Sequence, residues 1–110
     1  MPLIVKKYGG SSVADAGRIR NVAQRVASAK SAGNQVVVVV SAMGDTTDGL
    51  IDLAKQITDQ PSPREMDLLL STGETISMTL MSMALHGLGC DAISLTGAQA
   101  GIRTDTLFSR

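Results

Sequence analysis

Gln35-Val36-Val37-Val38-Val39-Val40-Ser41 decides the fold of this 110-residue chain. Five consecutive β-branched residues favour a strand. They show no polar alternation, which implies burial on both faces, as in the middle of a parallel sheet. Immediately upstream, Gly33-Asn34 is a helix stop. Before it, Asp15 to about Ala32 reads as a helix whose Ile19, Val22, Ala23 and Val26 fall at i, i+3, i+4 and i+7 and form one apolar stripe. Earlier still, Leu3–Tyr8 reads as another strand. Strand, helix, strand is the unit of a parallel α/β sheet.

Downstream, Ala42–Thr46 reads as a polar loop. An element over about Thr47–Thr58 follows, with Leu50, Ile51, Leu53, Ala54 and Ile57 on its apolar side. Pro61-Ser62-Pro63 breaks the chain. A short helix over Arg64–Leu70 is expected next, then an interruption at Ser71-Thr72-Gly73, then a helix over Glu74–His86. In that last helix Ile76, Met78, Leu80, Met81, Met83 and Leu85 wrap almost all round, so deep burial is expected. Gly87 and Gly89 end it, and Ala92–Thr96 reads as a third strand. Gly97–Arg110 is polar and offers no closing element. The predicted order is β-α-β-α-α-α-β, a mostly parallel sheet flanked by helices. Three strands leave sheet edges unpaired. The expectation is therefore the start of a longer chain, or a chain that needs a partner, with marginal stability alone.

One Tyr, one Phe and no Trp mean that the core is aliphatic. Ten basic and ten acidic residues balance, and no basic patch is interleaved with aromatics, which argues against a nucleic-acid partner. A single cysteine excludes an internal disulfide and suits a reducing compartment. The purely apolar run Val36–Val40 is too short to span a bilayer. The N-terminus enters a strand directly and does not read as a signal peptide. A soluble cytoplasmic protein is expected.

The candidate chemistry gathers where strands end, because ligands of open α/β sheets sit outside the carboxyl ends of the strands. Lys7-Tyr8-Gly9-Gly10-Ser11-Ser12 follows the first strand. Its glycines let backbone N–H groups approach an anion, a helix N-terminus beyond adds a positive dipole end, and Lys7 adds a mobile ammonium. Lys6 alternates with Lys7 and faces the other way. The spacing is neither G-x-x-x-x-G-K-[ST] nor G-x-G-x-x-G, and an ordinary strand-to-helix turn is the alternative reading. Ser41 to Thr47 follows the second strand and Thr96-Gly97 the third. Glu74 is expected in the first turn of its helix, where the dipole favours a carboxylate. Helix capping by Thr47, Ser62, Ser71 and Thr72 is the competing account of the hydroxyls. His86, Cys90 and the six methionines read as structural. Arg18, Arg20, Arg25 and Lys30 read as a solvated helix face.

Taken together, Lys7-Tyr8-Gly9-Gly10-Ser11-Ser12-Val13, Val38-Val39-Val40-Ser41-Ala42-Met43-Gly44 with Thr47, Thr72-Gly73-Glu74, and Ser94-Leu95-Thr96-Gly97-Ala98-Gln99-Ala100-Gly101 resemble the aspartate kinases of the amino-acid kinase family. The resemblance implies the N-terminal portion of an amino-acid-kinase (carbamate-kinase-like) domain, without its regulatory ACT domains. It implies ATP with Mg2+ as phosphoryl donor and L-aspartate as acceptor, on the route to lysine, threonine and methionine. Lys7 would stabilise the transferring phosphoryl group. Gly9, Gly10, Ser11 and Ser41 would hold ATP phosphates. Ser41, Thr47 and Glu74 would hold aspartate, with Glu74 on its ammonium. Later family motifs, Gly-Arg-Gly-Gly-Ser-Asp and a segment ending Asp-Pro-Arg, are absent here, and Arg103 and Asp105 carry no assigned role. The resemblance further implies the remainder of the kinase chain as a partner, and a homo- or hetero-oligomer. The 110 residues alone are expected to be inactive. A glutamate or N-acetylglutamate acceptor, or a non-catalytic nucleotide-binding module, are the alternative readings.

Overall fold

The computed structural model describes residues 1–96 and Gln99. Strand β1 (Leu3–Tyr8) pairs in parallel with β2 (Gln35–Val40), Leu3 opposite Gln35 and Tyr8 opposite Val40. Between them run a 3-10 turn at Gly10–Val13 and helix α1 (Ala16–Ser31). Helices α2 (Thr46–Ile57) and α3 (Pro63–Gly87) follow.

Helix α1 forms as its sequence dictates. Asp15 caps it, its carboxylate accepting from the Arg18 backbone N–H at 2.9 Å. Gly33 ends it at φ +97°, where a Cβ would be strained, and the Asn34 side chain donates to the Ala29 carbonyl at 2.8 Å. The predicted stripe Ile19, Val22, Ala23 and Val26 is buried, with Val13 beneath the loop and Met81 and Leu85 from α3. Tyr8, Val36, Val38 and Val40 pack against this core from the sheet.

Three expectations are corrected. First, among the described residues the valine run is covered on one side only. Burial alternates along both strands, and Val37 and Val39 remain 46% and 45% exposed. The two helices that reach the sheet cover one face, so Leu3, Val5, Lys7, Val37 and Val39 line a bare one.

Second, the Ser71-Thr72-Gly73 interruption does not exist, and α3 is one 25-residue helix. Ser71 and Thr72 donate their hydroxyls back to the Leu68 and Leu69 carbonyls at 2.7 and 2.6 Å, satisfying the polar side chains inside the helix. Gly73 costs about 1 kcal/mol of helix propensity, which its tight packing against Ala42 and Thr46 offsets. Nor is α3 buried all round. Gly73, Ser77, Met81 and Leu85 form a single i+4 stripe, while Ile76, Leu80 and Met83 are exposed. By length and composition α3 could cross a membrane, but a core helix has the same profile, and its buried stripe packs on α1 and α2.

Third, Ala92–Thr96 joins no ladder among the described residues, leaving a two-stranded sheet. It is tied to α3 instead. His86 Nε2 donates to the Ala92 carbonyl at 2.8 Å, Ser94 Oγ donates to the Met78 carbonyl at 3.1 Å, and the Ser82 and Ser94 hydroxyls bond at 2.7 Å. Gly97 and the segment through Arg110, with Arg103 and Asp105, lie outside the described residues apart from Gln99.

Candidate functional site at the strand ends

Three of the sequence stretches singled out above meet at the carboxyl ends of β1 and β2. The Ser41 N–H donates to the Tyr8 carbonyl at 3.1 Å and the Gly44 N–H to the Gly10 carbonyl at 3.3 Å, so the loop after β2 is laced to the loop after β1. Helix α3 closes on the same loop through Gly73. A Cβ on Gly73 would lie 2.9 Å from the Ala42 Cβ and 3.3 Å from Thr46 Cγ2, and one on Gly10 would lie 2.9 Å from the Ala42 carbonyl oxygen. Ala42 is therefore held between two glycines that sequence reading had linked only by family pattern. Gly73 itself was not among the expected site residues. Its signal, a glycine tolerated inside a helix, becomes readable only once the helix is known to be continuous.

The two glycines of the first loop have different uses. Gly10 is committed to packing against Ala42. Gly9 has extended backbone at φ −77°, and nothing lies within 4 Å of where its Cβ would be, so its surface is open. Among the described residues, the backbone N–H groups of Gly9, Gly10 and Ser11 donate to no protein acceptor. Consecutive free N–H groups of this kind suit an anion. The expected contribution from the α1 N-terminus is corrected: the 3-10 turn intervenes, and Asp15 already caps that helix. Arg18 is also engaged, its guanidinium donating to the Ser11 carbonyl at 2.7 Å and lying 3.8 Å from the Asp15 carboxylate.

Lys7 is exposed, opposite Val39 on the bare sheet face, and Lys6 is half-buried on the helix side, as the alternation required. Ser41 and Thr47 are half-buried, and among the described residues their hydroxyls make no hydrogen bond. Thr47 lies inside α2 and is no cap, whereas Ser62 does cap α3, accepting from the Glu65 N–H at 3.5 Å. Glu74 is corrected in position. It is exposed about three turns into α3, next to buried Gly73, so no helix N-terminus stabilises its carboxylate. Neither Lys7 nor Glu74 joins an ion pair among the described residues. Glu74, Ser71, Thr75 and Thr96 all line a groove beside β2.

The arrangement thus offers free backbone donors, an exposed ammonium, two uncommitted hydroxyls and an exposed carboxylate around laced loops. The sequence profile described as the amino acid kinase family matches residues 2–109. This chain belongs to that family. It is 64% identical over 104 residues to an aspartokinase of Mycolicibacterium smegmatis, covering 94% of this chain and 25% of that protein. It is 58% identical over 107 residues to aspartokinase 2 of Bacillus subtilis, covering 97% of this chain and 26% of that protein. The structure superposes on the crystal structure of aspartate kinase from Synechocystis with a TM-score of 0.85 at 58% identity, covering 88% of this chain and 17% of that one. The chain therefore has the α/β fold of the family and spans about a quarter of the length of the curated relatives it matches.

Proposed function

We propose that this chain is the N-terminal part of an aspartate kinase, which uses ATP to phosphorylate the side-chain carboxylate of L-aspartate, giving 4-phospho-L-aspartate and ADP. The observation that carries the reading is the meeting of the Lys7–Ser11, Ser41–Thr47 and Gly73-Glu74 stretches at the strand ends, in a chain 64% identical to an aspartokinase. The free N–H groups of Gly9, Gly10 and Ser11 are suited to ATP phosphates, and Ser41 stands beside them on the neighbouring loop. Lys7 offsets the charge of the phosphoryl group in transit. Thr47 and Ser41 hold the aspartate, and Glu74 receives its ammonium.

Phosphoryl transfer asks for positioning and charge neutralisation more than for covalent help. A carboxylate acceptor is ionised at neutral pH and needs no general base. Its oxygen attacks the γ-phosphorus as the bond to the β-phosphate oxygen breaks and ADP leaves. Among the described residues no three His, Cys, Asp or Glu side chains gather to hold an ion. Mg2+ would accompany ATP, bound to the nucleotide's phosphates. The proposed setting is the cytoplasm, at the head of lysine, threonine and methionine synthesis, in an oligomeric kinase.

The test traps acyl phosphate as the hydroxamate. It uses the full-length kinase that contains this chain, with aspartate, glutamate and N-acetylglutamate as acceptors. Hydroxamate from aspartate alone is expected. Preference for another acceptor would reassign the substrate, and folded protein with no turnover on any of them would sink the kinase reading.

A further inference from the structure

We propose that Arg18 is a positioning residue for the Gly9–Ser11 loop: its guanidinium fixes the loop's last peptide group and, through it, the N–H that an incoming phosphate meets. The proposal rests on the kinase reading for the identity of that anion. A trans peptide points a C=O and the next residue's N–H in opposite directions, so a donor on one carbonyl sets the aim of the following N–H. The Ser41 N–H holds the Tyr8 carbonyl at 3.1 Å, which aims the Gly9 N–H. The Ser12 N–H holds the Gly9 carbonyl at 3.1 Å, which aims the Gly10 N–H. The Gly44 N–H holds the Gly10 carbonyl at 3.3 Å, which aims the Ser11 N–H. These donors are all backbone groups. The Ser11 carbonyl is held by a side chain instead, Arg18 Nη1 donating to it at 2.7 Å, the shortest bond of the set.

That peptide is also the one that closes the turn, because its N–H belongs to Ser12. A relay therefore runs from Arg18 to the Ser11 C=O, from the Ser12 N–H to the Gly9 C=O, and out through the Gly10 N–H. Hydrogen bonds in series polarise one another, and a charged donor at the head strengthens the series. Arg18 thus both orients the Gly10 N–H and makes it a better donor to an anion. Arg18 is itself held. The Asp15 carboxylate accepts from its backbone N–H at 2.9 Å and lies 3.8 Å from its Nε. The residue that caps α1 therefore also steadies the side chain that reaches back to the loop. Arginine suits this place because its rigid fork of N–H donors serves a carbonyl and a carboxylate at once. The side chain is 57% exposed, so water competes for the bond and the expected effect is moderate.

The test uses the full-length kinase that contains this chain. Arg18→Ala should raise KM for ATP about three- to tenfold, the value of one hydrogen bond. KM for aspartate and the melting temperature should stay near the parent's, because the Asp15 cap bonds a backbone N–H that any residue but proline keeps at position 18. Arg18→Lys retains a charged donor and should recover part of the loss. Arg20→Ala removes the same charge from the same helix, but among the described residues Arg20 donates to no loop carbonyl, so its KM for ATP should match the parent's. An unchanged KM for ATP in Arg18→Ala overturns the proposal. So does an equal rise in Arg20→Ala, which would trace the effect to helix charge. A rise in both Michaelis constants with a fall in melting temperature would mark a structural prop and overturn it as well. The Kd for ATP with Mg2+, measured by calorimetry without an acceptor, separates this proposal from the kinase reading. ATP bound more weakly by Arg18→Ala, in a parent that phosphorylates no aspartate, would keep the positioning role and remove the aspartate assignment. A parent active on aspartate with an Arg18→Ala variant unchanged in Kd and KM would do the reverse.

Discussion

The strand-end junction and the outer edge of β2 belong to one strand and are built in opposite ways. At the junction Ala42 has no room to move: would-be Cβ atoms on Gly10 and Gly73 fall 2.9 Å from it on two sides. At the edge, among the described residues, the outward peptide groups of Val36, Val38 and Val40 have no partner and the neighbouring sheet face is bare. The loops of the candidate site are thus tightly packed, whereas among the described residues the sheet keeps one open face and an open edge.

Substitutions in the full-length kinase can break or sharpen that contrast. The largest effect is expected on the closed side of α3. Met81 is 3% exposed, so Met81→Ala should cost about 2–5 kcal/mol in denaturant unfolding. Met83 is 63% exposed here, and Met83→Ala should stay within about 0.5 kcal/mol unless residues outside this chain cover it. A large loss at Met83 would mean that the open side of α3 is buried in the complete protein. Next comes the sheet. Lys7→Ala on the bare face should lower turnover about 10²–10³-fold while leaving the melting temperature near the parent's. Lys6→Ala, on the helix side, should do the reverse, trimming stability and sparing turnover. Comparable turnover in both variants would remove Lys7 from the chemistry.

The junction glycines come third, and magnitudes rank them. Gly10→Ala drives a Cβ to 2.9 Å from a backbone carbonyl, which cannot swing away, and should cost about 1–3 kcal/mol of overpacking. Gly73→Ala meets the Ala42 Cβ at the same distance but gains about 1 kcal/mol of helix propensity, so its net loss should be smaller by that amount. Thermal melts that reverse this order would mean that the Ala42 loop yields more easily than its packing suggests.

Much of this was legible in the sequence because it depends on neighbours a few residues apart. The α1 stripe of Ile19, Val22, Ala23 and Val26 and the Gly33 stop follow from local periodicity and turn chemistry. So does the placing of Lys6 and Lys7 on opposite faces of β1. What failed depended on contacts distant in sequence. Ser71-Thr72-Gly73 reads as a break because nothing local shows that Ala42 and Thr46 pack against Gly73. Glu74 was misplaced at a helix start as a direct consequence. The valine run promised two covered faces, and the described residues cover one. The likeness to aspartate kinases pointed to stretches that pack together at the strand ends, but could not divide labour between Gly9 and Gly10, because a family pattern records that a glycine stands there and not what a Cβ would strike.

That division supports the smallest and most selective prediction. Gly9 has φ −77°, a value open to any L-residue, and open space where its Cβ would be. Gly9→Ala should therefore leave stability within about 0.5 kcal/mol of the parent. If its freedom exists to let phosphates approach the N–H groups of Gly9, Gly10 and Ser11, the added methyl stands in the nucleotide's way. KM for ATP should then rise while KM for aspartate holds. An unchanged KM for ATP, in a variant as stable as the parent, would show that the nucleotide keeps clear of this loop. Gly10 would then be the only glycine of the pair with a physical requirement, and that requirement would be packing.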